Sequence, residues 1–375
     1  SLDVGGNKIG PTGATAIAEA LRFNAVLTNL RLGYNDIRDE GAVAIADALR
    51  VNGVLKSLNL RLNDIRDEGA AAIADALAVN GVLTELDLSY NDIEDTGAEA
   101  LASALRVNAV LTHLDLGNNR IRDQGAAAIA EALRGNGLTN LVLTRNHIGD
   151  EGAAALASAL RVNEVLKALS LGENRIRDEG AKAIGQALRV NGVLTHLDLG
   201  NNRIRHQGAA AIAEALRDNG VLTNLSLWGN YIGPEGAKAI GGALAVNGVL
   251  TSLNLGYNQI RAKGAAAIAE ALRGNGVMTE LNVAWNSIGP AGAAAIAEAL
   301  RGNAVLTNLR GNAGLTNLVL WENNIGNEGA KALAAALRVN GVLKSIDLRA
   351  NSLGDEGQKA IYDAVSGREG FELRM

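Results

Sequence analysis

The chain has no cysteine. It can carry neither a disulfide framework nor a thiolate zinc site, which fits a reducing compartment, and a cytoplasmic protein is expected. Charge of one sign is also missing in excess: 35 Lys and Arg stand against 40 Asp and Glu, for a net −5. The two signs are interspersed, so no basic field exists for a phosphate backbone, and nucleic acid is disfavoured. The long uncharged run from Ala239 to Ile260 contains Asn247, Thr251, Ser252, Asn254, Asn258 and Gln259. It reads as a helix end, a turn and a strand rather than a membrane span, and no signal peptide or membrane partner is expected. Neither Gly-x-Gly-x-x-Gly nor Gly-Lys-Ser/Thr occurs, so no phosphate-cradling loop is indicated and no cofactor is expected. Proline occurs three times and aromatic residues are scarce, with three Trp, five Tyr and two Phe.

What is present is repetition. The stretch Leu27 to Val54 recurs with a period of 28 from Leu27, Leu55, Leu83 and Leu111, slips to 27 at Leu138, and resumes from Leu166, Leu194, Leu222, Leu250 and Met278. After one irregularity it returns at Leu315 and Leu343. A period in this range marks a solenoid, whose strand-plus-helix units bury their apolar faces only by stacking. A single array of about 13 units over residues 1–375 is expected, with the first and last units truncated.

Within one unit, Leu27, Leu30, Leu32, Asn35 and Ile37 follow Leu-x-x-Leu-x-Leu-x-x-Asn-x-Ile. The central alternation is a short strand, with Leu30 and Leu32 inward and Asn29, Arg31 and Gly33 outward. Asn35 and its equivalents recur where the chain turns, and a buried ladder of side-chain amides is expected to satisfy the turn's backbone groups. Ala42, Ile45, Ala46 and Leu49 form one apolar stripe at helical spacing. Asp39 marks the helix start, and Pro11, Pro234 and Pro290 share that phase, where a missing N–H costs nothing. Asn52-Gly53 marks the end, with Gly53 expected in the left-handed conformation after the helix.

Stacked strands give a parallel sheet on one side and helices on the other. Helices are wider than the strand spacing of about 4.8 Å, so an α/β horseshoe arc with a concave sheet is expected. The units resemble leucine-rich repeats of the ribonuclease-inhibitor-like class. The wording Leu-Thr-His-Leu-Asp-Leu-Gly-Asn-Asn-Arg-Ile-Arg-Asp-Gln-Gly-Ala, Leu111 to Ala126, is most similar to the repeat domains of NOD-like receptors. That resemblance implies a recognition surface for a protein. The same class includes Ran GTPase-activating proteins, so regulation of a small GTPase is an alternative, and an engineered or structural array without a natural ligand is another.

No polar cap is evident at either terminus, which leaves three readings open: a fragment of a longer array, an engineered or heavily duplicated array, or a chain whose ends associate with one another. Residues 301–309 and 310–318 are a nine-residue tandem duplication. The second copy is expected to supply the next strand, leaving one copy as a loop after the helix near Leu300.

Scaffold positions recur in every unit, so information about a ligand lies where units differ. Seven of the aromatics fall on outward strand positions or the turns beyond them: Tyr34, Tyr90, Trp228, Tyr231, Tyr257, Trp285 and Trp321. Five of these, Trp228, Tyr231, Tyr257, Trp285 and Trp321, cluster on four consecutive units and form the candidate binding site, since Trp and Tyr are enriched at binding hot spots. A row of arginines, Arg38, Arg66, Arg122, Arg177, Arg205 and Arg261, follows the turn and is read as solvated and neutralised by neighbouring carboxylates. The pairs His113 with Asp115 and His196 with Asp198 belong to nearly identical modules and read as copies. No catalytic residue and no metal ligand is assigned, and the expected function is a non-enzymatic scaffold that binds a protein on the concave face.

Overall fold

Leucines two residues apart share one face of a strand, and burying that face requires a neighbour for each unit. The computed structural model describes residues 1–306 and 314–375. They fall into two compact units, Ser1–Ile176 and Arg177–Met375. In the first, three-residue strands such as Asn29–Arg31 and Ser57–Asn59 pair in parallel and in chain order, with Leu30, Leu58, Leu86, Leu114, Leu141 and Leu169 in one register. In the second, Leu197, Leu225, Leu253, Leu281, Leu318, Ile346 and Leu373 form the equivalent row. A helix follows each strand but the last, as Arg38–Leu49 follows Asn29–Arg31, because parallel neighbours need a crossover. Leu30, Leu32, Ala42, Ile45, Ala46 and Leu49 are all buried, so the two stripes meet in the core. The α/β solenoid expected from the repeat is present in both units.

The asparagine ladder is present and does more than close one turn. Asn63 Nδ2 donates to Leu60 O of its own repeat and Leu32 O of the one before, both at 3.0 Å. Its Oδ1 accepts from Asn35 N at 3.0 Å and Ile37 N at 3.3 Å. One buried amide therefore fixes the spacing of two repeats.

The helix end differs from expectation. Gly53 is not left-handed. Instead Asn52 is buried, its Oδ1 accepting from Val54 N and Leu55 N while its Nδ2 donates to Leu21 O and Asn24 O of the preceding repeat. Asn80, Asn108, Asn219 and Asn247 repeat the pattern. A second amide ladder replaces the glycine cap because it satisfies helix carbonyls and joins neighbouring repeats at the same time.

The helix starts follow a rule that links neighbours. Asp39 does not cap its own helix; its Oδ1 accepts from Arg66 N and Gly69 N of the next repeat, at 2.8 and 2.9 Å. Asp95, Asp123, Asp178 and Asn327 do the same for the repeats after them. Where the preceding repeat has Pro11, His206, Pro234, Ala262 or Pro290 instead, the corresponding residue, Arg38, Gly233, Arg261, Gly289 or Gly326, turns to positive φ. Its N–H then donates forward to a ladder asparagine's carbonyl, as Arg38 N does to Asn63 O. Asp95→Ala is expected to cost about 1 kcal/mol, read as a lowered denaturant midpoint at unchanged slope. Asp95→Asn should be close to neutral, as Asn327 fills the same role.

The strand Asn317–Val319 comes from the second copy of the duplicated segment and pairs in register with Glu280–Asn282. The helix Gly289–Leu306 continues six residues past Leu300, so most of the first copy extends the helix rather than forming the expected loop. The remainder of that loop lies outside the described residues.

Candidate functional site

On the open face of the second unit, the sequence places a ring at one of two adjoining positions in four successive repeats. Trp228 and Trp321 occupy the last outward position before the turn, and Tyr257 and Trp285 occupy the turn residue itself. The adjoining residue is small in three cases, Gly229, Gly256 and Ala284, and this lets the rings meet. Trp228 lies 6.0 Å from Tyr257 between ring centres, Tyr257 6.0 Å from Trp285, and Trp285 5.4 Å from Trp321, the last two pairs edge to face. These are favourable aromatic geometries. The rings nevertheless stay open to solvent: Tyr257 is 56% exposed, Trp285 39% and Trp321 37%.

Gly256 is essential to this arrangement, because a methyl group there would stand 2.5 Å from Trp228 Cδ1. Gly256→Ala should push the Trp228 ring off its neighbour, read as a changed near-ultraviolet circular dichroism with secondary structure unchanged. Tyr257 and Trp285 both sit at φ 56°, a left-handed conformation unfavourable by about 1–2 kcal/mol for a side chain of this bulk. The same position is left-handed in the other repeats too, at Leu62, Arg145, Glu173 and Ala350 as well as at Asn118, Asn201 and Gly229, which adopt it at lower cost, so the conformation belongs to the turn itself.

Of the five predicted residues, four form this row. Tyr231 stands apart: it follows the turn, forms a backbone bridge with Arg205, and makes no ring contact among the described residues. Sequence reasoning missed Arg349, which holds the position of Trp321 one repeat later. Its guanidinium lies 5.5 Å from the Trp321 ring centre and is anchored to Asp347 at 2.6 Å. Burial alone would raise the Asp347 carboxyl, but its hydrogen bonds from Arg349 hold it below the ordinary value.

Within the arginine row, Arg38, Arg66, Arg122, Arg205 and Arg261 make no ion pair among the described residues, while the Oδ1 atoms of Asp39, Asp95 and Asp178 accept from backbone N–H groups of the next repeat.

The first unit carries a different surface. Tyr34 is exposed, and Tyr90 lies under the Arg61 guanidinium at 4.2 Å. A trough of about 520 Å³ is lined by Arg31, Asn59, Glu85, Asp87, His113 and Asp115, among others. Asp87 and Asp115 are register partners on adjacent strands. Burial and the neighbouring Asp87 push the Asp115 carboxyl up to about 6, against the opposing Gly117 N–H at 2.7 Å and the Arg61 charge. His113 and His196 each bond the preceding threonine hydroxyl through Nδ1, at 2.9 and 2.8 Å, so the two copies share one local arrangement. Among the described residues, no group of three His, Cys, Asp or Glu is placed to hold a metal ion, and no helix is long and apolar enough to cross a membrane.

Residues 1–310 match the NLRC3 LRR domain and residues 311–334 a leucine-rich repeat family. No curated protein matches. Among solved structures, an internalin from Listeria monocytogenes superposes with TM-score 0.55 at 19% identity, covering 100% of this chain and 98% of that one. The mouse RP105/MD-1 complex gives TM-score 0.55 at 17% identity, covering 99% of this chain and 62% of that chain, so this chain spans less than two thirds of its length. Those likenesses concern the fold. With the strand-turn-helix unit, the buried asparagine ladder and the match over residues 1–310 together, the chain belongs to the leucine-rich-repeat family of the NLRC3 repeat-domain type.

Proposed function

We propose that this chain is a non-enzymatic scaffold that recognises a protein partner on its open sheet face, the concave side of the expected arc, centred on Trp228, Tyr257, Trp285 and Trp321. Leucine-rich-repeat domains generally act in protein binding. The observation that carries the finer reading is the unbroken row of four touching rings, three of them exposed. Four rings of about 150–250 Å² each suffice for the centre of a standard interface of about 800 Å² per partner. The lack of cysteine supports a cytoplasmic setting for this role.

Combining Trp228→Ala with Trp285→Ala is expected to weaken a captured partner at least 100-fold, about 2.7 kcal/mol, measured by titration of the purified pair. Unchanged affinity for every detected partner would defeat the assignment of the centre.

A further inference from the structure

The rim where each turn enters its helix changes charge in the second unit. In the first unit this stretch reads Asp-Ile-Arg-Asp-Glu-Gly at 36–41 and again at 64–69, so carboxylates outnumber arginine three to one. In the second unit the helix-start aspartate stops at Asp178, and His206, Pro234 and Ala262 stand in its place in the next three repeats. The stretches 203–208, 231–236 and 259–264 hold four cations, Arg203, Arg205, Arg261 and Lys263, against the single carboxylate of Glu235. All four are exposed, and none makes an ion pair among the described residues. Arg203 and Arg205 flank the buried Ile204, and Arg261 follows the buried Ile260, so the cations share the outer side of the rim.

Tyr231 stands in the middle of this patch. It forms a backbone bridge with Arg205, and its N–H donates to Ile204 O at 2.8 Å. Two residues on, Gly233 N donates to Asn258 O at 2.9 Å. The tyrosine is thus held between the Arg203–Arg205 segment and the one that leads to Arg261. It is 56% exposed, and its hydroxyl has no partner among the described residues.

Like charges gathered on one surface repel, and carboxylates from a ligand relieve that repulsion. Each guanidinium can offer a carboxylate two parallel N–H bonds. The tyrosine adds a ring for the ligand's backbone to pack on and a hydroxyl for a further hydrogen bond, and both residue types are enriched at binding hot spots. A nucleic acid fits less well. Duplex binding engages about 6–10 phosphates, more than four cations reach, and the chain's net charge of −5 opposes so large a polyanion.

We propose that this rim, with Tyr231 at its centre and Arg203, Arg205, Arg261 and Lys263 around it, binds an acidic peptide segment of a partner. It is a second surface, and it does not depend on the ring row. The test titrates the intact chain into a fluorescein-labelled octapeptide of alternating glutamate and serine, about 27 Å long when extended, and reads fluorescence anisotropy. Saturable binding is expected, weakened at least tenfold by Arg205→Gln combined with Arg261→Gln and at least threefold by Tyr231→Ala. Raising salt from about 50 to 500 mM should weaken it at least threefold. Arg38→Gln combined with Arg66→Gln, the same positions in the carboxylate-rich first unit, should leave it within twofold. Circular dichroism verifies that every variant folds. No saturation, equal binding of an alternating lysine and serine peptide, or indifference to the Arg205, Arg261 variant each overturns the proposal. So does an equal loss in the Arg38, Arg66 variant, or tighter binding of a DNA oligonucleotide or of vesicles containing phosphatidylserine than of the acidic peptide.

Discussion

Asn286→Ala is expected to lower stability by about 3–5 kcal/mol, because it removes an amide on which backbone groups of two repeats depend. Asn286 is fully buried. Its Oδ1 accepts from Asn258 N at 3.0 Å and Ile260 N at 3.1 Å, and its Nδ2 donates to Leu255 O, Val283 O and Ala284 O at 2.8–3.0 Å. Alanine leaves two N–H groups and part of three carbonyls without their protein partner, at about 1–3 kcal/mol per orphaned group. Asn286→Asp fails for a different reason. The carboxylate still accepts but cannot donate, and it brings a charge against three carbonyl oxygens. Chemical denaturation of both variants checks this, and alanine within about 1 kcal/mol of the parent would show that the ladder is ornamental. Because each rung joins two repeats, hydrogen exchange should also quicken in the repeats on both sides.

The second large effect concerns pH. Asp115 has its carboxyl raised to about 6 in the fold against 3.8 for the ordinary group. The folded chain thus holds this proton more tightly than the unfolded chain. Its contribution is most favourable below the unfolded value and is lost as pH climbs from about 4 through 6. Undiscounted, the shift corresponds to about 3 kcal/mol; because the trough admits solvent, roughly 1–2 kcal/mol is expected. Asp115→Asn keeps the acceptor for Gly117 N and removes the charge beside Asp87. It should raise stability at pH 7 by that amount, with little change at pH 4. The difference between variant and parent, from denaturation midpoints at pH 4, 5, 6 and 7, isolates this group from the other carboxylates. A difference independent of pH would contradict the assignment. Asp115 is also the place where this trough would respond to a change of pH in any binding experiment.

Much of the molecule is legible from its sequence because its architecture is periodic. Leu30 and Leu32, the Ala42–Leu49 stripe and Asn35 recur with one spacing, and a residue that recurs in every unit must do a job every unit has. Two of these jobs are misleading in the sequence because the partner lies in a different repeat. Asn52-Gly53 resembles a glycine helix end, yet Asn52 bonds the repeat before it. Asp39 resembles its own helix's cap, yet it serves the helix that follows. Local pattern identifies the residue; only stacking decides which neighbour it reaches.

The same division holds for the candidate site. Sequence by itself determined the repeat, the strand-turn-helix unit, the inward and outward faces, and the concentration of aromatics between Trp228 and Trp321, since each follows from spacing along the chain. Tertiary structure alone decided that four of those rings touch while Tyr231 does not, that Gly256 makes room for Trp228, that Arg349 closes the row, and that Asp115 is pressed against Asp87 in a trough. Those facts depend on which atoms from different repeats lie within a few ångströms of each other, and 28 residues of intervening chain carry no record of that distance until the strands are stacked.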